Sequence, residues 1–360
     1  MTMNQNTPHV SVGIPVYNGE RYIAQSIDSI LSQTFQDFEL IISDNASTDA
    51  TERICREYAN KDPRIRYYRS EQNRGAAWNH NRVVELARGQ YFRWQCHDDY
   101  SAPTFLERCL TVLHNDSRVE LCYPRFVRVD EHDRRLGIKS SRVLGSAEPC
   151  ERFRSLIYRR DSCEEIYGIT RTATIRKTAL LGPYSNSDDT FLAELILHGE
   201  FREIPEPLFF YRIHPTQSVS AYPCRSARMA WFKPSAGARF PVPFVRLIAG
   251  YLSLVWRSPL CWRDKARCYS LLGGWIWFFR DWFTEDVRVL RTSFVHDGLV
   301  PWFKQHAQWT RPIWHQMKQV RNRFRRPESA ARRARVSRIE QLERWELKPE
   351  ESGTPTSDHV

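Results

Sequence analysis

The 360-residue chain lacks several patterns that usually assign a protein to a class, and paired cysteines are the first of them. Its 9 cysteines are scattered, and no two have the C-x-x-C spacing typical of a structural metal site. An odd, dispersed set also argues against a disulfide framework and favours a reducing compartment. The first eight residues are polar and contain no apolar run of a secretory signal, so the expected location is the cytoplasm.

Long apolar runs are also missing. The longest late run, residues 269–279, ends at Arg280 and Asp281 and is too short to span a bilayer. No internal repeat is visible. No recognisable nucleic-acid-binding module occurs either, so a nucleic-acid partner is not expected. The glycine-rich loop with a basic residue that a nucleotidyltransferase carries after its first strand is missing, which disfavours that class.

The chain does contain the composition of a globular protein with a basic surface. Apolar residues make up 41% and charged residues 26% of it, and the net charge is +11. A basic balance suits a phosphorylated ligand or an anionic membrane. The aromatic residues (12 Trp, 15 Tyr and 19 Phe) can pack a core, stack on sugars or lie at a membrane surface, and core packing is the default for most.

The first hundred residues alternate predicted strands with predicted helices. The strands are expected at residues 9–15, 38–42, 65–69 and 91–94, and the helices after a cap at Asn18 and at residues 50–59 and 76–87. This rhythm predicts an α/β fold with a Rossmann-like, mostly parallel central sheet and flanking helices. In such sheets ligands bind beyond the carboxyl ends of the strands.

The middle of the chain has a looser pattern. Helices are predicted at residues 104–113, 151–158 and 191–197 (the last capped by residues 187–190), strands at 119–123 and 208–213, a charged hairpin or loop at 128–142 and an extended segment at 166–175.

An acidic pair follows the fourth predicted strand directly. Asp98 and Asp99 repel each other unless a cation lies between them. Hard oxygen ligands suit Mg²⁺ or Mn²⁺ carrying phosphates. The alternative is that the pair only caps a helix that begins at residues 101–103.

Polar residues also follow the first two strands and precede the third helix. Pro15 and Tyr17 lie at the first strand end, and Asp44 lies at the second, where it can contact the edge of a nucleobase or form an ordinary Asx-turn. Arg74 precedes a helix N-terminus, which is a reasonable phosphate setting, although a plain surface loop is commoner for its tripeptide.

Six blocks in this order resemble an inverting family 2 glycosyltransferase with the GT-A fold. They are V-G-I-P-V-Y-N-G at 12–19, S-D-N-A-S-T-D at 43–49, Q-N-R-G at 72–75, H-D-D at 97–99, S-D-D-T-F-L-A-E-L at 187–195 and F-Y-R-I-H at 210–214. The resemblance covers roughly the first 220 residues, and its strength lies in the order of the blocks, because each block alone is weak.

The resemblance implies a nucleotide site and a metal site. Residues that would contact the nucleotide are Pro15, Val16, Tyr17, Asp44, Arg74, His97 and Asp98. Asp99 would bind a divalent Mg or Mn ion that bridges the two phosphates. The family's D-x-D reads His97-Asp98-Asp99 here, so one carboxylate fewer lies near the ribose. His214 would join the metal or a phosphate, whereas a lone histidine after a strand is more often structural.

The resemblance also implies a general base. Asp189 matches the second acid of the family's E-D pair and is the expected base, and Asp188 replaces the glutamate and shares the role. The alternative for Asp188 is a helix cap. The implied reaction moves a sugar from a nucleotide-sugar donor, usually UDP-linked, to a hydroxyl of a glycan or lipid-linked acceptor, with inversion, in cell-surface polysaccharide or glycolipid synthesis. A non-catalytic nucleotide- or glycan-binding relative is the alternative function.

Three regions are expected along the chain. Residues 1–224 would form the GT-A catalytic domain, residues 225–317 an aromatic-rich helical region and residues 318–360 a basic, disordered tail. Trp275, Phe278, Phe279 and Trp282 fit one helical face, which either docks on the catalytic domain or lies on an anionic membrane. Arginines after Lys318 would add electrostatic attraction, which implies a peripheral location on the inner face of the membrane, although a solvated tail also explains them.

Overall fold

The computed structural model describes residues 7–140, 146–159, 163–217, 221, 231–232, 243–281 and 284. All of them belong to the compact unit Met1–Arg291. The predicted region boundaries at 224/225 and 317/318, the arginines after Lys318 and the aromatic residue Trp282 lie outside the described residues.

A central sheet carries the fold in the described part of the chain. Its strands are β1 (Val10–Val16), β2 (Phe38–Asp44), β3 (Ile65–Arg69), β4 (Tyr91–Trp94), β5 (Tyr100–Ser101), β6 (Val119–Val129), β7 (Arg135–Lys139), β8 (Ile169–Arg171) and β9 (Glu200–Arg212). Their order is β3-β2-β1-β4-β8-β6-β9-β5, with β7 paired to β6. The β3-β2-β1-β4 part and the β6-β9 pair are parallel, and β8 joins the two parts by antiparallel pairing.

Helices cover the sheet. They are α1 (Ile23–Leu31), α2 (Thr51–Lys61), α3 (Ala76–Leu86), α4 (Phe105–Asn115), α5 (Pro149–Ile157), α6 (Thr172–Ile175), α7 (Ser187–Leu195), α8 (Pro243–Arg257) and α9 (Trp262–Phe278), with a 3₁₀ turn at Glu164–Tyr167. Three of the N-terminal parallel strands, β1, β2 and β4, are buried along their whole length, as expected for strands covered on both faces. The predicted α/β sheet with flanking helices is confirmed.

Close packing places α3 directly on β1. A methyl group at Gly13 would lie 2.7 Å from Cβ of Val83, so only glycine lets the helix approach the strand this closely. Ile23, Ile27 and Ile30 are fully buried, so α1 has one apolar face that packs into the core.

Several local predictions were wrong. Asn18 does not cap α1, which begins at Ile23. The backbone of Asn18 is left-handed (φ 53°), and its Oδ1 accepts a hydrogen bond from the N–H of Thr48. Residues 166–175 are not extended, because the segment holds part of the 3₁₀ turn, β8 and α6. The short strand β5 lies where a helix start was predicted after Asp99, because it pairs with β9.

The last two described helices pack on α7 and α5. Trp275 of α9 is buried, and its Nε1–H donates a hydrogen bond of 2.7 Å to the carbonyl of Ile157 at the end of α5. Its ring stacks on Phe244 of α8 at a centroid distance of 5.2 Å. Trp277 and Phe278, in contrast, are exposed. No helix in the described part of the chain is both long enough and apolar enough to cross a bilayer.

Candidate active site

The carboxyl ends of the parallel strands bring the predicted loops to one edge of the sheet. Val16, the last residue of β1, lies opposite Asp44, the last residue of β2. On the other side of β1, Gly13 lies opposite Trp94, and the N–H of Gln95 donates to the carbonyl of Gly13. The loops that follow β1, β2 and β4 therefore surround one region, as the sheet rule requires.

The loop after β1 is tied to the loop after β2. The N–H of Asn18 donates to Oγ of Ser47 at 2.9 Å, and Oδ1 of Asn18 accepts from the N–H of Thr48 at 2.8 Å. Pro15 and Val16 are buried in β1, whereas the Tyr17 side chain is 37% exposed. Of these predicted nucleotide contacts, Tyr17 is thus the side chain that is open to a ligand.

Asp44 is buried and engaged on both oxygens. Its Oδ1 accepts from the N–H of Ser47 at 2.8 Å, and its Oδ2 accepts from the hydroxyl of Tyr67 at 2.7 Å. Burial and then this hydrogen bond raise the pKa of Tyr67. The local turn that was weighed for Asp44 is present, and its contact with a nucleobase stays a prediction.

An amide network holds the loop of Arg74. Nδ2 of Asn45 donates to Oδ1 of Asn73 at 2.9 Å, and Oδ1 of Asn45 accepts from the N–H of Arg74 at the same distance. Gly75 has a positive φ of 91°, which allows the turn into α3. The exposed guanidinium of Arg74 lies 4.2 Å above the Trp78 ring. The second strand end and this loop therefore act as one unit.

His214 contacts Asp98. Its Nε2 lies 3.0 Å from Oδ2 of Asp98, and its Nδ1 lies 2.9 Å from Oγ1 of Thr216. Burial opposes ionisation of Asp98, but the charges of His97 and His214 outweigh it and lower the pKa of Asp98. Both ring nitrogens of His214 are occupied in this way, so it orients Asp98, and the predicted metal-ligand role stays a prediction.

His97 packs against the loop after β1. A methyl group at Gly19 would lie 2.6 Å from Cδ2 of His97, so glycine is needed for this approach. The first position of the H-D-D block therefore lies beside the loop that carries Tyr17, consistent with the nucleotide contact predicted for His97.

Asp99 offers one free oxygen. It is 2% exposed, and its Oδ1 accepts from the backbone N–H of Arg212 at 2.8 Å. Its Oδ2 is buried and finds no hydrogen-bond partner among the described residues. Burial and then the charge of Asp98 raise the pKa of Asp99 well above its usual value. Ligand atoms of Cys96, Asp98 and Asp99 lie within 4.8 Å of one another, so the residues fit a divalent cation held by oxygen ligands.

Arg212 belongs to the site, although the sequence motifs did not indicate it. Its side chain is 1% exposed, its Nε–H donates to the carbonyl of Asp98, and its NH2 group donates to Oε1 of Gln25. It thereby fixes both acids from the far end of β9. The sequence block F-Y-R-I-H could have indicated Arg212. In an extended segment, residues two apart share a face, and His214 was already predicted to belong to the site.

Asp188 and Asp189 lie in the first turn of α7 and have different surroundings. Oδ1 of Asp189 accepts from the thiol of Cys163 at 2.9 Å and lies 3.8 Å from the Arg159 guanidinium, and its Oδ2 accepts from Asn186. Asp188 lines a cavity, and burial followed by the charge of Asp189 raises the pKa of Asp188 to about 6. The assignment of the base to Asp189 stays a prediction, and of the two carboxylates it is that of Asp188 that lines the cavity.

The cavity next to Asp188 has a volume of about 250 Å³. It is lined by Ala76, Ala77, His80, Trp94, Cys163, Glu164, Ile166, Tyr167, Leu181, Ser185, Asn186, Ser187, Asp188, Tyr211, Trp231 and Phe232. Tyr167 also lies in hydrogen-bonding contact with Cys96, the residue three before Asp99. One wall is thus shared between the cavity and the acidic pair. His80, Cys163 and Tyr167 had no sequence signal, because only the fold brings them together.

The comparisons with known proteins agree with this arrangement. Residues 11–181 match glycosyl transferase family 2. Over 207 residues the chain is 30% identical to chondroitin synthase of Escherichia coli. The alignment covers 54% of this chain and 30% of that relative. Over 140 residues it is 36% identical to the putative glycosyltransferase EpsE of Bacillus subtilis. This alignment covers 39% of this chain and 49% of that protein. The chain thus spans half or less of the length of these curated relatives.

A solved structure shares the fold. The structure of S. aureus TarS 1-349 in complex with UDP superimposes with a TM-score of 0.54 at 19% identity, covering 74% of this chain and 70% of that one. The GT-A fold expected from the sequence is therefore confirmed. The family match, the order of the blocks and the sheet agree, and the chain contains a glycosyl transferase family 2 domain at residues 11–181.

Proposed function

We propose that the protein is a divalent-metal-dependent glycosyltransferase that moves a sugar from a nucleotide-sugar donor to an acceptor hydroxyl with inversion. The observation that carries this proposal is that a candidate metal ligand and a candidate base lie on either side of Tyr167. A buried carboxylate oxygen of Asp99 has no partner among the described residues, and a cavity beyond Tyr167 presents the carboxylate of Asp188. Acid ligands for a cation and a base with a pKa of about 6 are the groups this reaction needs.

Asp188 would act as the general base. With its carboxylate at the cavity wall, it can take the proton from an acceptor hydroxyl as that oxygen attacks the anomeric carbon. Asp189 would hold the start of α7 in place through its contacts with Cys163 and Asn186. Attack from the face opposite the leaving diphosphate inverts the anomeric configuration.

Asp99, with Asp98 beside it, would hold Mg²⁺ or Mn²⁺. When bound, the ion neutralises charge on the diphosphate. The chain's own contribution is orientation, because Arg212 fixes Asp99 by its N–H and Asp98 by its guanidinium, while His214 bonds Asp98.

The nucleotide would lie along the loops after β1 and β2. Tyr17 is the exposed ring of that edge, and Asp44 is the acid predicted to bond the base. Arg74, held by Asn45, would lie near the phosphates. S. aureus TarS has been crystallised with UDP and with UDP-GlcNAc, and we propose a UDP-linked donor for this chain as well.

The acceptor would be a glycan or a lipid-linked sugar. Chondroitin synthase, one of the relatives, is named for a polysaccharide. We therefore propose a role in polysaccharide or glycolipid synthesis, with the protein in the cytoplasm.

A peripheral position at an anionic membrane would bring such an acceptor close. The outward face of α9 supports this, because Trp262 and Trp277 are 68% and 70% exposed at its two ends. The exposed or half-buried cations Arg263, Lys265 and Arg280 flank them. Interfacial tryptophans together with cations are typical of helices that lie on anionic lipid.

Calorimetric titration with UDP and Mn²⁺ tests the core of this proposal. The wild-type protein should bind UDP only when Mn²⁺ is present, and Asp99→Ala should lose that binding while keeping its thermal transition. Release of UDP from a UDP-sugar then tests turnover. Metal-dependent binding with no turnover towards any donor and acceptor would favour the non-catalytic relative, and equal binding by Asp99→Ala would reject the metal site.

A further inference from the structure

The cavity next to Asp188 has carboxylates and aromatic rings among its lining residues. Asp188 and Glu164 supply carboxylates, and Trp94 and Tyr211 supply rings. Among the described residues that line it there is neither lysine nor arginine. Glu164 is paired outside the cavity with Lys139, whose Nζ lies 3.1 Å from Oε2. Asp188 therefore leaves this wall with a net negative charge when it is ionised.

One buried hydroxyl in the wall has no partner. Ser187 is fully buried, and its Oγ makes no hydrogen bond within the part of the chain that the structure describes. Burying a hydroxyl in this way costs stability, because its hydrogen bonds to water are not replaced. Ser187 lines the cavity, so this unpaired hydroxyl lies directly behind its wall.

His80 adds an acceptor to the same cavity. Its Nδ1 lies 2.9 Å from the carbonyl oxygen of Ala76, and a carbonyl only accepts, so Nδ1 carries the hydrogen. Burial lowers the pKa of His80 to about 4, which keeps the ring neutral. Nε2 is then the ring nitrogen with a free lone pair, and it can only accept a hydrogen bond.

The size of the cavity limits its occupant. Its volume of about 250 Å³ is below the roughly 300–1,000 Å³ that drug-sized ligands need. One sugar ring matches this space, and its aromatic walls, Trp94 and Trp231 among them, suit the apolar faces of such a ring.

We propose that this cavity binds one sugar ring that carries no negative charge, through hydrogen bonds that the hydroxyl or amino groups of the ring donate. The proposal rests on the proposed transferase function and names the class of donor sugar: the ring is that of the nucleotide-sugar donor, whose anomeric carbon is attacked by the acceptor hydroxyl that Asp188 deprotonates. A ring carboxylate would meet Asp188, and the described residues that line the cavity offer no cation to pair with it. Like charges brought together in this way weaken binding by about tenfold or more.

Matched donors test this by calorimetry in the presence of Mn²⁺. UDP-glucose and UDP-glucuronate differ only at C6, and GDP-mannose and GDP-mannuronate form a second pair. In whichever pair binds, the uncharged member should bind about tenfold or more tightly than the uronate. Equal affinity, or tighter binding of the uronate, would overturn the proposal.

Substitutions at His80 give a second test. His80→Arg adds a cation to the cavity and should raise the affinity of the uronate relative to its uncharged partner by about tenfold. His132→Arg makes the same change at a side chain that is 61% exposed, and it should leave the ratio as in the wild type. An unchanged ratio in a folded His80→Arg variant would show that the sugar does not enter this cavity.

UDP and GDP without a sugar separate the two possible failures. If a nucleotide binds but its two sugar forms bind alike, the cavity proposal fails and the proposed function stands. If no nucleotide and no nucleotide sugar binds, the proposed function fails, and the substrate class proposed for the cavity fails with it.

Discussion

Asp188 and Asp189 are neighbours in sequence, yet the fold gives their carboxylates different surroundings. Asp189 is held by Cys163, Asn186 and Arg159, whereas Asp188 lines the cavity. Sequence resemblance pointed to Asp189 because it matches the position of the family's base. Only coordinates show which of two adjacent acids is open to a ligand, because one residue along a helix turns the side chain by about 100°.

Paired substitutions separate the two acids. Asp188→Asn should lower kcat by roughly 10²- to 10⁴-fold, the usual contribution of an acid–base group, with little change in nucleotide affinity. Asp189→Asn should lose less, because its amide oxygen can still accept from Cys163 and Asp189 is not among the residues that line the cavity. Steady-state kinetics with the same donor and acceptor measure both. A larger loss in Asp189→Asn would return the role of base to Asp189.

The pH profile gives an independent test. Burial and the charge of Asp189 raise the pKa of Asp188 from the ordinary 3.8 to about 6. A base works only when ionised, and its ionised fraction rises with pH, so kcat/KM should rise through about pH 6 and level off about one unit higher. Kinetics between about pH 4.5 and 8.5, with circular dichroism as the folding control, measure this. A profile that is flat from pH 5 to 7 would contradict it.

At the scale of elements, α3 can lie close against β1 because Gly13 has no side chain. The sequence showed Gly13 only as part of V-G-I-P, and a glycine inside a strand indicates a close backbone approach without naming the neighbour. The structure identifies Val83 of α3 as that neighbour. This contact matters for the site because α3 carries His80 and begins beside Arg74.

Two glycine substitutions have opposite expected effects on stability. Gly13→Ala would place a methyl 2.7 Å from Cβ of Val83 and should cost about 1–3 kcal/mol of unfolding free energy. Gly273→Ala, on the exposed face of α9 where a methyl meets nothing within 4 Å, should add about 0.5–1 kcal/mol. Urea unfolding measures both, and equal effects would contradict this packing.

The element predictions failed where long-range pairing decides local structure. Residues 166–175 have an apolar, β-branched composition that favours a strand, yet β8 occupies only Ile169–Arg171. β4 and β6 pair with it on its two sides, and those partners come from distant parts of the chain. The strand β5 after Asp99 exists for the same reason, since its partner is β9.

For the whole molecule, α9 divides its aromatic residues between two surfaces. The single face predicted for Trp275, Phe278 and Phe279 is split, because Trp275 is buried under α8 while Phe278 is exposed. The helix thus docks on the catalytic part with one side and presents Trp262 and Trp277 on another. This arrangement allows membrane binding to be changed without disturbing the core.

Flotation with phosphatidylglycerol vesicles tests the outward face. Trp277→Ser should lower the partition coefficient by roughly tenfold, the value of one buried aromatic side chain, and should leave the thermal transition unchanged. Ile138→Ser, at a 59% exposed position of β7, is the matched control and should bind like the wild type. Equal recovery of the wild type with phosphatidylglycerol and with neutral phosphatidylcholine vesicles would reject the membrane surface.

The sequence by itself determined the β-α rhythm, the loops at the strand ends and the acids in them, because these depend on local periodicity and on residue chemistry. It therefore predicted the fold class and the neighbourhood of Asp44, Asp98 and Asp99. Tertiary structure alone decided that Oδ2 of Asp99 and Oγ of Ser187 lack a partner among the described residues, and that the carboxylate of Asp188 lines the cavity. The reason is that hydrogen-bond satisfaction and burial depend on residues far away in the chain, such as Arg212 for Asp99.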